Sequence, residues 1–278
     1  MCMGFGCNAA GVVGCRIIDS PRERMIAMLT NCFVPCNGRF PTLVAVLTMF
    51  FVGGGGALAS AGLLTGLIVL GVGMTFLFSR MLSATVLKGV PSSFTLELPP
   101  YRAPQIGRVI VRSMVDRTLF VLGRAAAVAA PAGLVIYLLA NVQVGGQTLL
   151  ALCTGFLDPF ARIFGLDGVL LTAFVLGFPA NEIVLPIAVM AYAANGSLTS
   201  LPELGELRAM LVANGWSPVT ALCVLLFSLM HWPCSTTLIT IHKESGSLKW
   251  TLLGFLIPTV AGFGACFLVA TAARLLGL

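Results

Sequence analysis

Four short stretches of this sequence set chemically capable side chains beside helix breakers. Gly177-Phe178-Pro179-Ala180-Asn181-Glu182 places an amide and a carboxylate just after a proline. Met230-His231-Trp232-Pro233-Cys234-Ser235-Thr236-Thr237 gathers an imidazole, a thiol and three hydroxyls around another. Gly4-Phe5-Gly6-Cys7-Asn8 flanks a thiol and an amide with glycines, and Phe33-Val34-Pro35-Cys36-Asn37-Gly38-Arg39 adds a Pro–Cys step. Proline cannot donate a backbone hydrogen bond, so Pro179 frees the carbonyl of Val175, Pro186 that of Glu182 and Pro233 that of Leu229. Thiol and imidazole donors suit borderline-soft transition metals, whereas Na⁺ and Ca²⁺ want oxygen alone. The candidate metal ligands are therefore Cys7, Cys36, Glu182 and Cys234, with Asn181 and His231 beside them. His231, next to Trp232, is equally suited to an interfacial hydrogen-bonding role. Cys15 and Cys32 lack an adjacent breaker and read as packing residues.

These stretches interrupt strongly apolar runs. The chain of 278 residues is 58% hydrophobic and only 9% charged, with a mean hydropathy of +1.01. A soluble domain carries about 25% charged residues. The fold class expected is all-α: a polytopic transmembrane helical bundle with broken or re-entrant helices and interfacial amphipathic helices. In hydrocarbon, a free carbonyl or an unpaired carboxylate is expensive, so breaks of this kind default to function. A kink whose Glu182 pairs with a neighbouring helix is the plainer alternative. The net charge of +6 resides beside apolar runs, as in loops retained on the cytoplasmic side, and does not indicate nucleic-acid binding. The nine cysteines lie mostly within or against apolar stretches and do not form a disulfide framework. Paired CxxC spacing for structural zinc is absent.

Ser20-Pro21-Arg22-Glu23 has the residues of a capping box and opens a short helix to about Asn31, expected along the cytoplasmic membrane surface. Apolar runs at Thr42–Val52 and Ala57–Leu87 follow, with Gly53 to Gly56 as the turn between them. Arg16, Arg22, Arg24 and Arg39 before the pair, and Arg80 and Lys88 after it, put both ends in the cytoplasm. The prolines of 94–102 imply an extended segment, and a helix with Arg108, Arg112 and Asp116 on one face resumes at Gln105. Later spans are expected near Leu122–Ala140, Val169–Ala194, Val219–Ile241 and Thr251–Leu276. The stretch Leu149–Phe164, broken at Asp158-Pro159, reads as a re-entrant pair or an outer loop. His242 to Trp250 reads as a charged cytoplasmic turn.

Several motifs, in one order, resemble the membrane domain of the bacterial ferrous-iron transport protein B (FeoB) family. GFGCN at 4–8, SPRER at 20–24 and PCNGRFP at 35–41 look like its first Gate region. LELPPYRAP at 96–104 is similar to the family signature E-L-P-x-Y-x-x-P. GFPANE, HWPCSTT and KESGSLKW at 243–250 look like the second Gate region. The organisation implied is a first Gate region with surface helix and hairpin at 1–90, an interfacial connector at 91–120 and a second Gate region at 121–278. The resemblance implies a multi-pass protein of the bacterial cytoplasmic membrane that imports Fe²⁺, with Cys7, Cys36 and Cys234 as iron contacts and Glu182 nearby. Fe²⁺ would be a transported substrate, with no permanently bound cofactor. Two departures stand out. Ala9-Ala10 occupy the place of the family's Val-Pro, leaving Gly4, Gly6 and Gly11 to make the break at Cys7. No G-x-x-x-x-G-K-[ST] phosphate loop occurs, so the chain is expected to be the C-terminal membrane portion, not to hydrolyse GTP, and to work with a GTP-binding domain in the full-length or a separate chain. Homo-oligomerisation is left open. The competing readings are a Gate-type permease for an organic solute such as a nucleoside, an intramembrane thiol enzyme using His231 and Cys234, and a non-transporting scaffold.

Overall fold

A computed structural model describes residues 2–52, 56–89, 107, 111, 120–192 and 204–277. The protein is an all-α bundle, with one two-residue-per-strand hairpin pairing Gln143–Val144 with Gln147–Thr148. The helices are α1 (Asn8–Gly14), α2 (Pro21–Thr30), α3 (Phe40–Leu47, continued by a π turn Thr48–Val52), α4 (Gly56–Ala84), α5 (Phe120–Asn141) and α6 (Leu149–Ile163). They continue as α7 (Gly168–Leu176), α8 (Val184–Tyr192), α9 (Leu204–Ala213), α10 (Pro218–Met230), α11 (Ser235–Ser245) and α12 (Leu248–Leu275). Among the described residues, three segments are long and apolar enough to cross a membrane: Leu58–Ala84, Pro218–Ser245 and Leu248–Leu275. The extended segment at 94–102, the Arg108/Arg112/Asp116 face and most of the glycine turn at 53–56 lie outside the described residues.

Local rules explain where most elements begin. Ser20 accepts the Glu23 N–H at 3.4 Å and Pro21 occupies the first helical position of α2, as its capping sequence requires. Asp167 caps α7 through the Leu170 N–H at 2.7 Å, and Ser217 caps α10 through the Thr220 N–H at 3.1 Å. Gly246 ends α11 in the left-handed conformation, φ 63°, so His242 to Glu244 are helical and the turn itself is only Gly246-Ser247.

Four expectations are corrected. Helix α2 does not simply rest on a surface: Ile26 to Thr30 are buried, with Leu29 packed among Leu82, Phe78 and Ile257. Arg39 is not a cytoplasmic marker but is 1% exposed inside the bundle. Asp158-Pro159 does not break its helix. Helix α6 runs through Pro159 to Ile163, and the chain instead turns by 109° before α7; Asp158 serves that turn by accepting the Gly168 N–H at 3.0 Å. Pro186 lies in the first turn of α8, where a missing N–H costs nothing.

Two of the breaks pack against the middles of long helices. His231, in the Met230-to-Ser235 break, is thirteen residues from Pro218 and fourteen from Ser245. Gly71, thirteen residues from either end of Leu58–Ala84, packs so tightly that an added Cβ would be 2.8 Å from the Phe33 carbonyl and 3.5 Å from Pro35. Gly262, near the middle of α12, would bring a Cβ to 3.2 Å from the Met230 carbonyl. Two unbroken spans thus use mid-helix glycines to admit the loops of the broken elements.

Candidate cation site at the convergent helix breaks

The four breaks found in the sequence meet. The Asn37 N–H donates to the Gly6 carbonyl at 3.4 Å, joining the Cys36 turn to the Cys7 break. At Gly38 an added Cβ would lie 3.7 Å from the Glu182 backbone nitrogen and 3.9 Å from the Asn181 Cβ. The Ser235 N–H donates to the Phe178 carbonyl at 2.9 Å, joining the Cys234 break to the Pro179 break. Three thiols that are up to 227 positions apart in sequence, Cys7 to Cys234, thus lie on breaks that are linked by contact.

Each thiol is presented by a local change of backbone. Cys7 is extended (φ −154°, ψ 125°) and precedes α1, and Cys234 is extended (φ −61°, ψ 158°) and precedes α11. The break at Cys7 forms without the family's proline. Gly4 and Gly11 serve instead to make room for Asn31, since an added Cβ would lie 2.8 and 2.5 Å from its Oδ1. Asn31 Nδ2 donates to the Asn8 carbonyl at 2.9 Å, and the Asn8 amide, oriented by its neighbours, donates to the Gly4 and Val34 carbonyls at 3.1 and 3.2 Å. Cys36 opens a tight turn closed by the Arg39 N–H on its carbonyl at 2.9 Å. Cys36 is buried, Cys234 is half-buried within 3.3 Å of the Thr237 hydroxyl, and Cys7 is exposed.

The remaining candidates divide. Asn181 is 6% exposed, and its Oδ1 and the Ser235 Oγ have no hydrogen-bond partner among the described residues. Glu182 next to it is exposed. His231 is occupied elsewhere: its Nδ1 donates to the Phe227 and Ser228 carbonyls at 3.0 and 3.1 Å, and its ring lies against Phe174, Phe227 and Trp232. Both Nδ1 partners are acceptors, which leaves Nε2 unprotonated in the neutral ring, buried and without a partner among the described residues. Of the freed carbonyls, that of Val175 accepts the Phe178 N–H at 3.2 Å, and that of Leu229 accepts Arg39 Nη1 at 2.8 Å. Among the described residues, no three His, Cys, Asp or Glu side chains stand close enough to hold one ion together. The arrangement is an open junction of thiol and amide donors, not a closed cage.

Arg39 is the residue that sequence reasoning missed. Its guanidinium donates to the carbonyls of Cys32 (2.8 Å), Leu229 (2.8 Å), His231 (3.0 Å) and Trp232 (3.3 Å). Its signal was legible only as position: a basic residue three places after Cys36, inside PCNGRFP.

Two family models match the chain: the ferrous iron transport protein B C terminus at residues 64–117 and the Gate model, described as nucleoside recognition, at residues 122–248. An Fe(2+) transporter FeoB of Staphylococcus aureus (strain MSSA476) is 28% identical over 275 residues, covering 96% of this chain and 39% of the relative. Relatives of the same name in Methanocaldococcus jannaschii (26% identical, 99% of this chain, 41% of the relative) and Synechocystis (28%, 94% and 41%) align over similar extents. The chain therefore spans about two-fifths of the length of the curated relatives it matches. No solved structure matches. The motif order, the two family models and relatives aligned over nearly the whole chain make this helical protein similar to the C-terminal, Gate-containing portion of FeoB proteins.

Proposed function

We propose that this chain forms the permeation core of a ferrous-iron importer in the bacterial cytoplasmic membrane. The observation that supports this most is the meeting of the separate breaks that carry Cys7, Cys36 and Cys234. A divalent ion entering hydrocarbon must exchange water for protein donors. Thiols meet the preference of Fe²⁺ for softer ligands, with the unpartnered Asn181 and Ser235 oxygens beside them. The lack of a closed three-ligand cage among the described residues suits transport, because an ion held in a complete cage leaves slowly. Glu182, exposed beside Asn181, supplies negative charge on the approach. The two Gate regions, 1–90 and 121–278, each contribute two of the four breaks, and 91–120 connects them. The partner is a GTP-binding domain, in the same polypeptide or a separate one.

The test is Fe²⁺ uptake by cells that lack their own ferrous transporter and carry this chain together with its GTP-binding domain. Cys234→Ala should lower uptake about tenfold or more, since even the loss of a residue one shell away from a metal costs about 10–100-fold in affinity or activity. Glu182→Ala should lower it less, mainly at limiting Fe²⁺. Parent-level uptake in both variants would remove the basis for this site.

The Gate model's description favours one second reading, transport of an organic solute such as a nucleoside. Under it, excess nucleoside would compete with uptake and Cys234→Ala would leave transport intact. The thiol-enzyme reading lacks a thiol–base contact, because Cys234 faces the Thr237 hydroxyl and the unprotonated Nε2 of His231 is buried without a hydrogen-bond partner among the described residues.

A further inference from the structure

We infer that Arg39 is a positioning residue, holding the Cys36 turn and the Cys234 break in register so that their thiols can act on one ion. The inference rests on the reading of those thiols as contacts of the transported cation. Arg39 reaches both breaks at once. Its backbone N–H closes the Cys36 turn, while its guanidinium fork holds the Leu229, His231 and Trp232 carbonyls that lead into Cys234. A third anchor, the Cys32 carbonyl, ties the fork back to its own segment.

The chemistry explains why arginine occupies this position. Pro233 deprives the Leu229 carbonyl of its helical donor, and α10 ends there with its carbonyls facing inward. A guanidinium at a helix C-terminus meets the negative end of the helix dipole and offers several N–H groups in one plane. Burying a charge is costly unless it is well hydrogen-bonded. Arg39 is not among the described salt bridges, which join Arg16 to Glu244 and Arg162 to Asp158. Four carbonyls from two segments take the place of a carboxylate. With its charge balanced by dipoles, Arg39 can sit near a cation pathway without placing a competing anion there. The same contacts mean that the carbonyls released at the Pro233 break serve as the arginine's acceptors, leaving the side chains to meet the ion.

Arg39→Lys separates charge from geometry, because an ammonium keeps the charge and cannot span the same four acceptors. The full chain, purified without oxygen, is titrated with Fe²⁺ while alkylation of Cys234 is followed by mass spectrometry. In the parent, Fe²⁺ should protect Cys234. In Arg39→Lys, the Fe²⁺ concentration for half-protection should rise about tenfold or more, the effect of losing one charge-assisted hydrogen bond. A merely structural role would lower the thermal midpoint and leave half-protection unchanged, and that result in a folded variant would overturn the inference. If Arg39→Lys does not accumulate, Pro233→Ala is added to return an N–H to the Leu229 carbonyl, and the same readout decides. A parent chain that Fe²⁺ does not protect at all would refute the reading of Cys234, and the role of Arg39 with it.

Discussion

Gly71 shows how much a single residue decides here. It lies midway along the span Leu58–Ala84, against the carbonyl of Phe33 and the ring of Pro35. Any side chain there pushes the loop that carries Cys36. Gly71→Ala brings its Cβ within 2.8 Å of that carbonyl oxygen, so helix or loop must shift. The expected cost is about 1–3 kcal/mol, typical of overpacking a filled interior, read as a lower unfolding midpoint in detergent. An unchanged midpoint would mean that the loop is not seated against α4. Cys15, unlike the site thiols, donates back to the backbone of its own segment. It is buried, its Sγ donates to the Gly11 carbonyl at 3.3 Å, and burial pushes its thiol up, which fits the packing role read from its sequence context.

Among the helices, the turn between α6 and α7 depends on carboxylates. Asp167 caps α7 through Oδ1 and accepts the Tyr192 hydroxyl through Oδ2, while Trp216 Nε1 donates to that hydroxyl at 2.9 Å. One residue thus ties α7, the end of α8 and the start of α10 together. Asp167→Ala removes a cap and strands a half-buried hydroxyl. A loss of about 2–3 kcal/mol is expected from the two effects combined, with earlier proteolysis at the turn as a second sign. A loss below about 0.5 kcal/mol, the size of an ordinary surface change, would show that the turn is set by apolar packing alone.

Taking all the helices together, the basic segments around α2 and the ends of α4 and α11 gather at one end. Arg22 donates to the Leu87 carbonyl and to Ser83 at the end of α4, and Arg16 pairs with Glu244 at the end of α11 at 2.6 Å. Charge bias assigned these segments to the cytoplasm separately. The fold now requires that they share a side. Cysteines introduced as Lys88→Cys and Lys243→Cys should therefore be labelled by an impermeant reagent from the same face of sealed vesicles. Labelling from opposite faces would contradict the bundle.

Which segments are apolar, that Ser20 caps a helix and that the chain breaks near Cys7, Cys36, Pro179 and Pro233 could be read from the order of residues. Those are local properties, set by a missing N–H at proline, by a capping hydroxyl at Ser20 or by apolar run length, and they also place Cys7 and Cys234 at element boundaries. The resemblance to a known family could be stated from the same short motifs. Everything else had to wait for packing in three dimensions. Asp158-Pro159 stayed within its helix, and Asp158 accepts the Gly168 N–H across the turn that follows. Arg39 read as a surface charge because composition cannot show that carbonyls from a segment 190 residues away would receive it. That four breaks meet depends on glycines in two other helices, Gly71 and Gly262, and on hydrogen bonds between distant loops. Breaks are written in the chain because they follow from covalent structure, whereas their meeting follows from packing, which is a property of all the segments together.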